Sequence, residues 1–204
     1  CFGLRPACGG FAVAYQTAQS YVGAVRYQTI LLIGSGTLSA INNWEDRSSC
    51  ILFGDGAGAS VVQAEEGELY PSVAGSDGTM GHVLACESRV QNDWQQKEAD
   101  RKTYIDMDGT AVFKFAVRKM PEMAKSLMTQ MHCTEADIDW FITHQANERI
   151  IEAIARRLKS DIAKFPMNIA ECGNTSSASI PILLDAMNRS GPLKDGPKIL
   201  MAVF

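Results

Sequence analysis

Short apolar runs alternate along this chain with stretches whose apolar residues recur every three or four positions. Thr29-Ile30-Leu31-Leu32-Ile33, Ile138-Asp139-Trp140-Phe141-Ile142-Thr143 and Lys198-Ile199-Leu200-Met201-Ala202-Val203-Phe204 read as strands. Continuous β-branched runs of that length suit strands buried on both faces. Between them lie helical spacings: Phe11, Ala14, Tyr15, Ala18, Tyr21, Val22 and Val25; then Ala111, Phe115, Val117, Met120, Met123, Ala124 and Leu127; then Ile150, Ile151, Ile154, Ala155 and Leu158. Such alternation restricts the chain to a layered α/β fold with a largely parallel sheet. At 204 residues, 46% of them hydrophobic, it can bury a core without staples.

Smaller signals fill in the order. Ser49-Cys50-Ile51-Leu52-Phe53 and Ala59-Ser60-Val61-Val62 read as strands flanking Gly54-Asp55-Gly56-Ala57-Gly58, taken as a tight turn with close backbone approach. That cluster is GxGxG with no Lys after it, so neither a dinucleotide fingerprint nor a P-loop is present. Pro121 kinks the second helix or starts another. Thr134-Glu135-Ala136-Asp137 resembles a capping box. Residues 165–169 read as a short strand. The pattern dissolves over 65–102, a long irregular stretch suited to a connection. The expected organisation is therefore a half at 1–75, a connection at 76–103 and a second half at 104–204.

Composition excludes several classes. A net charge of -4 gives nucleic acid no purchase. The six cysteines form no CxxC pair and only three histidines are present, so no metal site is expected. Scattered cysteines fit a reducing, cytoplasmic location. No apolar run approaches the ~20 residues of a membrane span, and no signal peptide is visible. The chain begins at Cys1 and ends on an apolar strand, which suggests the interior of a longer protein cut at both ends.

Arg5-Pro6-Ala7-Cys8-Gly9-Gly10-Phe11 places one cysteine at the mouth of the first helix. Pro6 disfavours helix at Arg5, and the two glycines permit a sharp turn. Cys8 then lies beside unpaired helix N–H groups at the positive end of the dipole, where a thiolate is stabilised. Two more groups occupy equivalent places: His144 ends a strand, and Asn174 lies in a loop opening a helix. Sites in α/β sheets gather at such ends. Cys, His and Asn in this order also describe papain-like proteases, but their C-G-[SA]-C-[WY] signature is not matched by Ala7-Cys8-Gly9-Gly10-Phe11.

Five motifs resemble β-ketoacyl-acyl carrier protein synthase III, an initiating condensing enzyme of the thiolase-like superfamily. They are Ala7-Cys8-Gly9-Gly10-Phe11, Trp44-Glu45-Asp46-Arg47-Ser48, Phe53-Gly54-Asp55-Gly56-Ala57-Gly58-Ala59, His144-Gln145-Ala146-Asn147 and Gly173-Asn174-Thr175-Ser176-Ser177-Ala178-Ser179. The resemblance implies a partial chain of the thiolase-like fold, layered α/β/α/β/α with mixed, largely parallel sheets. It implies that Cys8 takes an acyl group from acyl-CoA, and that His144 and Asn174 hold the malonyl thioester of acyl carrier protein during decarboxylation. By the same resemblance Arg47 packs on the CoA adenine and Arg149 meets the carrier protein. Phe113, Ala146 and Ile150 lie along the pantetheine tunnel, with Asn147 beside them in the same motif. Coenzyme A thioesters would be substrates, with no metal or redox cofactor, and the enzyme would be a homodimer without nucleic-acid or membrane partners. Related condensing enzymes of quinolone or polyketide routes share the triad; a non-catalytic partner subunit of this fold would usually lack the cysteine.

Three departures accompany the resemblance. The early part of the family's first half, with its CoA-binding Trp and Arg, is absent. The chain stops where the family continues into a Gly-Gly-Gly segment. Gly9 stands where Ala or Ser is more usual.

Overall fold

A computed structural model describes residues 1–67, 69–86, 104–194 and 196–204. The polar stretch 87–103, expected to complete the connection, lies outside the described residues. Ala7–Gly9 form one 3-10 turn that continues directly into helix α1 (Gly10–Gly23). Strands β1 (Thr29–Gly36) and β2 (Gly56–Gln63) pair antiparallel, Thr29 opposite Gln63 and Gly36 opposite Gly56. A small antiparallel pair, β3 (Leu84–Ala85) and β4 (Asp106–Met107), precedes the long helix α2 (Gly109–Gln130). Then come β5 (Trp140–Thr143), α3 (Glu148–Leu158), the single turn α4 (Ile169–Cys172), α5 (Ser179–Ser190) and β6 (Ile199–Ala202). β5 and β6 are parallel, with Trp140 opposite Ile199.

The sheets are mixed, as expected, but not largely parallel: among the described residues two pairs are antiparallel and one is parallel. The reason is the connection. β5 reaches β6 through helices α3 to α5, the crossover a parallel pair needs, whereas no α-helix lies between β1 and β2.

Four local expectations are corrected. Ser49-Cys50-Ile51-Leu52 is not a strand but a set of turns, built on Asp46, whose carboxylate accepts from the Ser48 N–H and the Ser48 and Ser49 hydroxyls. The following glycines are not a turn; Gly56 and Gly58 lie inside β2, facing Gly36 and Gly34. Residues 165–169 form no strand, because Phe165 instead inserts into the core and stacks on Phe141 with ring centroids 4.6 Å apart. Only half of the Thr134–Asp137 capping box forms: the Thr134 N–H donates to Asp137 Oδ2, but Thr134 Oγ1 donates there too instead of accepting, and the bonds close a turn with no helix after it. Pro121 sits buried within an unbroken α2.

Two apolar clusters hold these elements. One joins α2, β5, α3 and β6 through residues such as Val117, Met120, Phe141, Ile151, Ile154 and Leu200. α3 is well delimited: Asn147 caps it through the Arg149 N–H at 2.9 Å, and Lys159 closes it in a left-handed conformation, φ 57°. The second cluster combines Phe11, Ala18 and Leu32 with Ile142, Ile180, Leu183 and Met187, so α1, β1, β5 and α5 share one core. β1 is therefore covered on one face only. Leu31 and Ile33 are 60% and 64% exposed, contrary to the two-sided burial expected of that run.

Candidate active site

The backbone around the cysteine is strained on two sides. Ala7, immediately before Cys8, has φ 48°, and Ser176 has φ 53°. Neither is glycine, and such strain persists only where surrounding structure enforces it. Gly9 and Gly10 are ordinary helical residues, so the turn is made by Ala7 and not by the glycines as expected. Gly10 is needed for space: a Cβ there would lie 2.9 Å from Ser177 Cβ.

The loop 173–179 is clamped into position against the first half of the chain. Asn174 N–H donates to the Leu52 carbonyl at 2.8 Å and Gly54 N–H donates to the Asn174 carbonyl at 3.0 Å. A side chain at Gly54 is impossible without movement, since its Cβ would collide with the Cys172 carbonyl oxygen. Close backbone approach is thus the function of this glycine, as the sequence suggested.

Held this way, the loop gathers the three candidate residues. Ser176 Oγ donates to Cys8 Sγ at 3.6 Å. Ser176 N–H donates to Asn174 Oδ1 at 3.0 Å, which commits that oxygen and leaves the Nδ2 amide protons to face elsewhere. Ser179 Oγ lies 2.7 Å from Nδ1 of His144. His144 is 1% exposed and its Nε2 is a buried atom without a protein partner. Cys8, His144 and Asn174, 166 positions apart from first to last in sequence, thus meet at the seven-residue loop 173–179, Asn174 as a member and the other two by direct contact.

The electrostatics differ from expectation at Cys8. Burial pushes its thiol above the ordinary value, and the Ser176 hydroxyl and its own backbone N–H offset that only in part. The resting group is a thiol, not the thiolate inferred from the helix terminus. Burial also pushes His144 down, to about 4, so its imidazole is neutral at physiological pH.

The remaining candidates are placed as follows. Arg47 is exposed on the Asp46 turn. Asn147 has its Oδ1 engaged as the α3 cap, and Arg149 is exposed on the first turn of that helix. Ile150 is buried in the first core, with Phe113 and Ala146 packed at its margin. Phe113 also lines a cavity of about 430 Å³ with Lys114, Arg118, Arg157 and Asp108, and none of Cys8, His144 and Asn174 borders it. Among the described residues no group of three His, Cys, Asp or Glu side chains is positioned to hold a metal ion. No helix of the described residues is long and apolar enough to cross a membrane.

Residues 2–78 match the family described as 3-oxoacyl-[acyl-carrier-protein (ACP)] synthase III, and residues 128–204 match its C-terminal part. The chain belongs to this family. It is 41% identical over 206 residues to the beta-ketoacyl-[acyl-carrier-protein] synthase III of Clostridium novyi (strain NT), covering 100% of this chain and 64% of that relative. Among solved structures it is similar to the synthase III of Aquifex aeolicus VF5, with TM-score 0.89, 36% identity, and coverage of 99% of this chain and 62% of that one. It is similar also to the priming beta-ketosynthase of the R1128 polyketide pathway, with TM-score 0.88, 34% identity, and coverage of 98% and 60%. The fold is the thiolase-like α/β fold of synthase III chains. The chain spans just under two thirds of the length of the relatives it matches.

Sequence reasoning singled out the triad but not Ser176 or Ser179, the hydroxyls that touch two of its members. Nor did it foresee Phe204, whose ring meets the His144 imidazole edge-on at 5.4 Å. Both serines stand in the quoted Gly173–Ser179 motif, so the signal was there; what sequence could not supply was which of its four hydroxyls point inward.

Proposed function

We propose that this chain carries the acyl-transfer and condensation site of an acyltransferase that joins an acyl-CoA primer to malonyl-acyl carrier protein. The convergence of Cys8, His144 and Asn174 on one clamped loop carries the reading. Cys8 Sγ attacks the acyl-CoA carbonyl, forming a Cys8 thioester as the carbon–sulfur bond to coenzyme A breaks; the thiol proton leaves with the coenzyme A thiol. The malonyl thioester then binds with its carbonyl oxygen toward His144 Nε2 and Asn174 Nδ2. Loss of carbon dioxide leaves an enolate, and two neutral donors stabilise its oxygen as an oxyanion hole does. The enolate carbon attacks the Cys8 thioester, releasing 3-oxoacyl-carrier protein and the Cys8 thiolate, which takes up a proton. Decarboxylation itself supplies the carbanion, so the reaction calls for no metal or redox cofactor.

Partners follow from the same reading. The exposed guanidinium of Arg47 is suited to stacking on the CoA adenine. Arg149, exposed on the first turn of α3, offers a positive charge to an acidic carrier protein, as do Lys114, Arg118 and Arg157 around the cavity. Phe113, Ala146, Asn147 and Ile150 border the pantetheine path. A homodimer acting in the cytoplasm, with the chain divided into halves at 1–75 and 104–204, belongs to this proposal. The similarity to a polyketide priming ketosynthase supports a second reading in which the same chemistry starts a polyketide. The presence of Cys8 with both partners argues against a non-catalytic subunit.

The test separates the half-reactions in the full-length protein. His144→Ala and Asn174→Ala should each lower condensation by about 10²–10³-fold, the usual cost of one oxyanion donor, with a much smaller effect on Cys8 acylation. Cys8→Ser should lose acylation and retain slow malonyl decarboxylation. Condensation at the wild-type rate in the Asn174→Ala protein would contradict the assignment.

A further inference from the structure

We infer that Ser179 is a positioning residue that holds His144 in the Nε2–H tautomer, so that this nitrogen enters the site as a donor. The inference rests on the proposed role of His144 and deepens it. Ser179 is 3% exposed and occupies the first position of α5. Among the described residues its Oγ has two polar neighbours, His144 Nδ1 at 2.7 Å and the Gln145 backbone N–H at 3.4 Å. The second is a donor only, so the hydroxyl proton has a single acceptor available to it, the Nδ1 lone pair.

The two neutral tautomers leave different balances. With the proton on Nδ1, Ser179 Oγ would accept from both neighbours and its own buried proton would have no acceptor, a cost comparable to a lost hydrogen bond. Nε2 would then face the site as a lone pair, repelling an enolate oxygen. With the proton on Nε2, Ser179 donates to Nδ1 and accepts from Gln145, and every group in the chain of contacts is satisfied except Nε2–H. That atom is buried and has no hydrogen-bond partner among the described residues, so a donor there is left for a ligand. A ring nitrogen's proton is set by what its other nitrogen contacts.

The surroundings keep the ring in this register. β5 delivers His144 with its N–H bonded to the Ala202 carbonyl at 2.9 Å, and Gln145 is fixed by Thr143, Pro166 and Asn168. The Phe204 ring lies edge-on against the imidazole. Among the described residues the ring's contacts are the Ser179 hydroxyl and the Phe204 ring, neither of them charged, so a hydroxyl dipole is what selects the tautomer.

The experiment is imidazole ¹⁵N NMR on the labelled full-length protein, with the His144 resonances assigned by His144→Gln, beside rates of malonyl thioester decarboxylation. The expected wild-type spectrum has a protonated Nε2 and an unprotonated Nδ1. Ser179→Ala should show a tautomer mixture and an approximately 10-fold fall in decarboxylation, less than outright loss of the donor. Ser179→Thr, which keeps the hydroxyl, should restore both. A wild-type Nδ1–H spectrum overturns the inference, whatever the variants do; so does an unmixed Nε2–H spectrum in Ser179→Ala. The expected spectra in a protein that neither acylates nor condenses would leave the tautomer assignment standing and refute the proposed function instead.

Discussion

His144 and Cys8 carry opposite pKa shifts from one cause, burial, and each has a measurable consequence. The unfolded His144 takes up a proton as pH falls through its ordinary value of 6.5, while the folded one resists until about 4. Stability is thus unaffected above 6.5, declines as pH falls across that window, and by about 4 has lost roughly 3 kcal/mol. Denaturant midpoints across the window should be markedly flatter for His144→Gln than for the parent. Asp46, Asp55, Asp77 and Asp137 have carboxyls held below their ordinary value by neighbouring hydroxyls and N–H groups, and their contribution is lost only at lower pH. For Cys8, alkylation by iodoacetamide should keep rising beyond pH 9 as the thiolate forms, and Ser176→Ala should slow it further by removing the hydroxyl that opposes burial. Exposed Cys1 should label faster near neutrality, read by peptide mass mapping. The sequence placed Cys8 at a helix mouth correctly; it could not weigh that dipole against desolvation by the 173–179 loop, which arrives from the far end of the chain.

At the scale of elements, glycines with the same local sequence appearance separate into necessary and dispensable. Gly9 is helical and a Cβ there would meet Val203 at an ordinary 3.9 Å, so Gly9→Ala should leave stability within about 1 kcal/mol of the parent, on the favourable side. Gly54→Ala forces its Cβ against the Cys172 carbonyl and should cost about 2 kcal/mol or more, with activity falling because the Asn174 loop must shift. Lys159 occupies a left-handed closing position on α3, and Lys159→Gly should stabilise by about 1 kcal/mol, seen as a raised Tm. Helices were legible because their spacing is local: α1, α2 and α3 fall where the apolar periodicity runs. Strands were less so. Ile51 and Leu52 have strand composition, but Asp46 claims the hydroxyls and N–H of the next turn before a ladder can form, and Phe165 prefers a stacked place on Phe141.

For the whole molecule, the sheet of β1 and β2 leaves one apolar face uncovered: Leu31, Ile33 and Val61 are each at least 60% exposed. A 204-residue chain carrying that face should self-associate in sedimentation velocity, and Leu31→Gln with Ile33→Gln should reduce it while leaving the inward Leu32 untouched. The layered class, and the meeting of Cys8, His144 and Asn174 at one loop, were legible because they depend on alternation and on motifs; the antiparallel pairing and the shared core of Phe11 with Ile180 were not, since both depend on how distant segments meet. The central claim is that Cys8 becomes acylated and hands the acyl group on. The most direct test incubates the full-length protein with an acyl-CoA and follows the intact mass and the Cys8 peptide, then adds malonyl-acyl carrier protein. The account predicts one acyl increment, confined to Cys8, that disappears as 3-oxoacyl-carrier protein forms. An increment on another cysteine, or one on Cys8 that malonyl-carrier protein does not discharge, would contradict it.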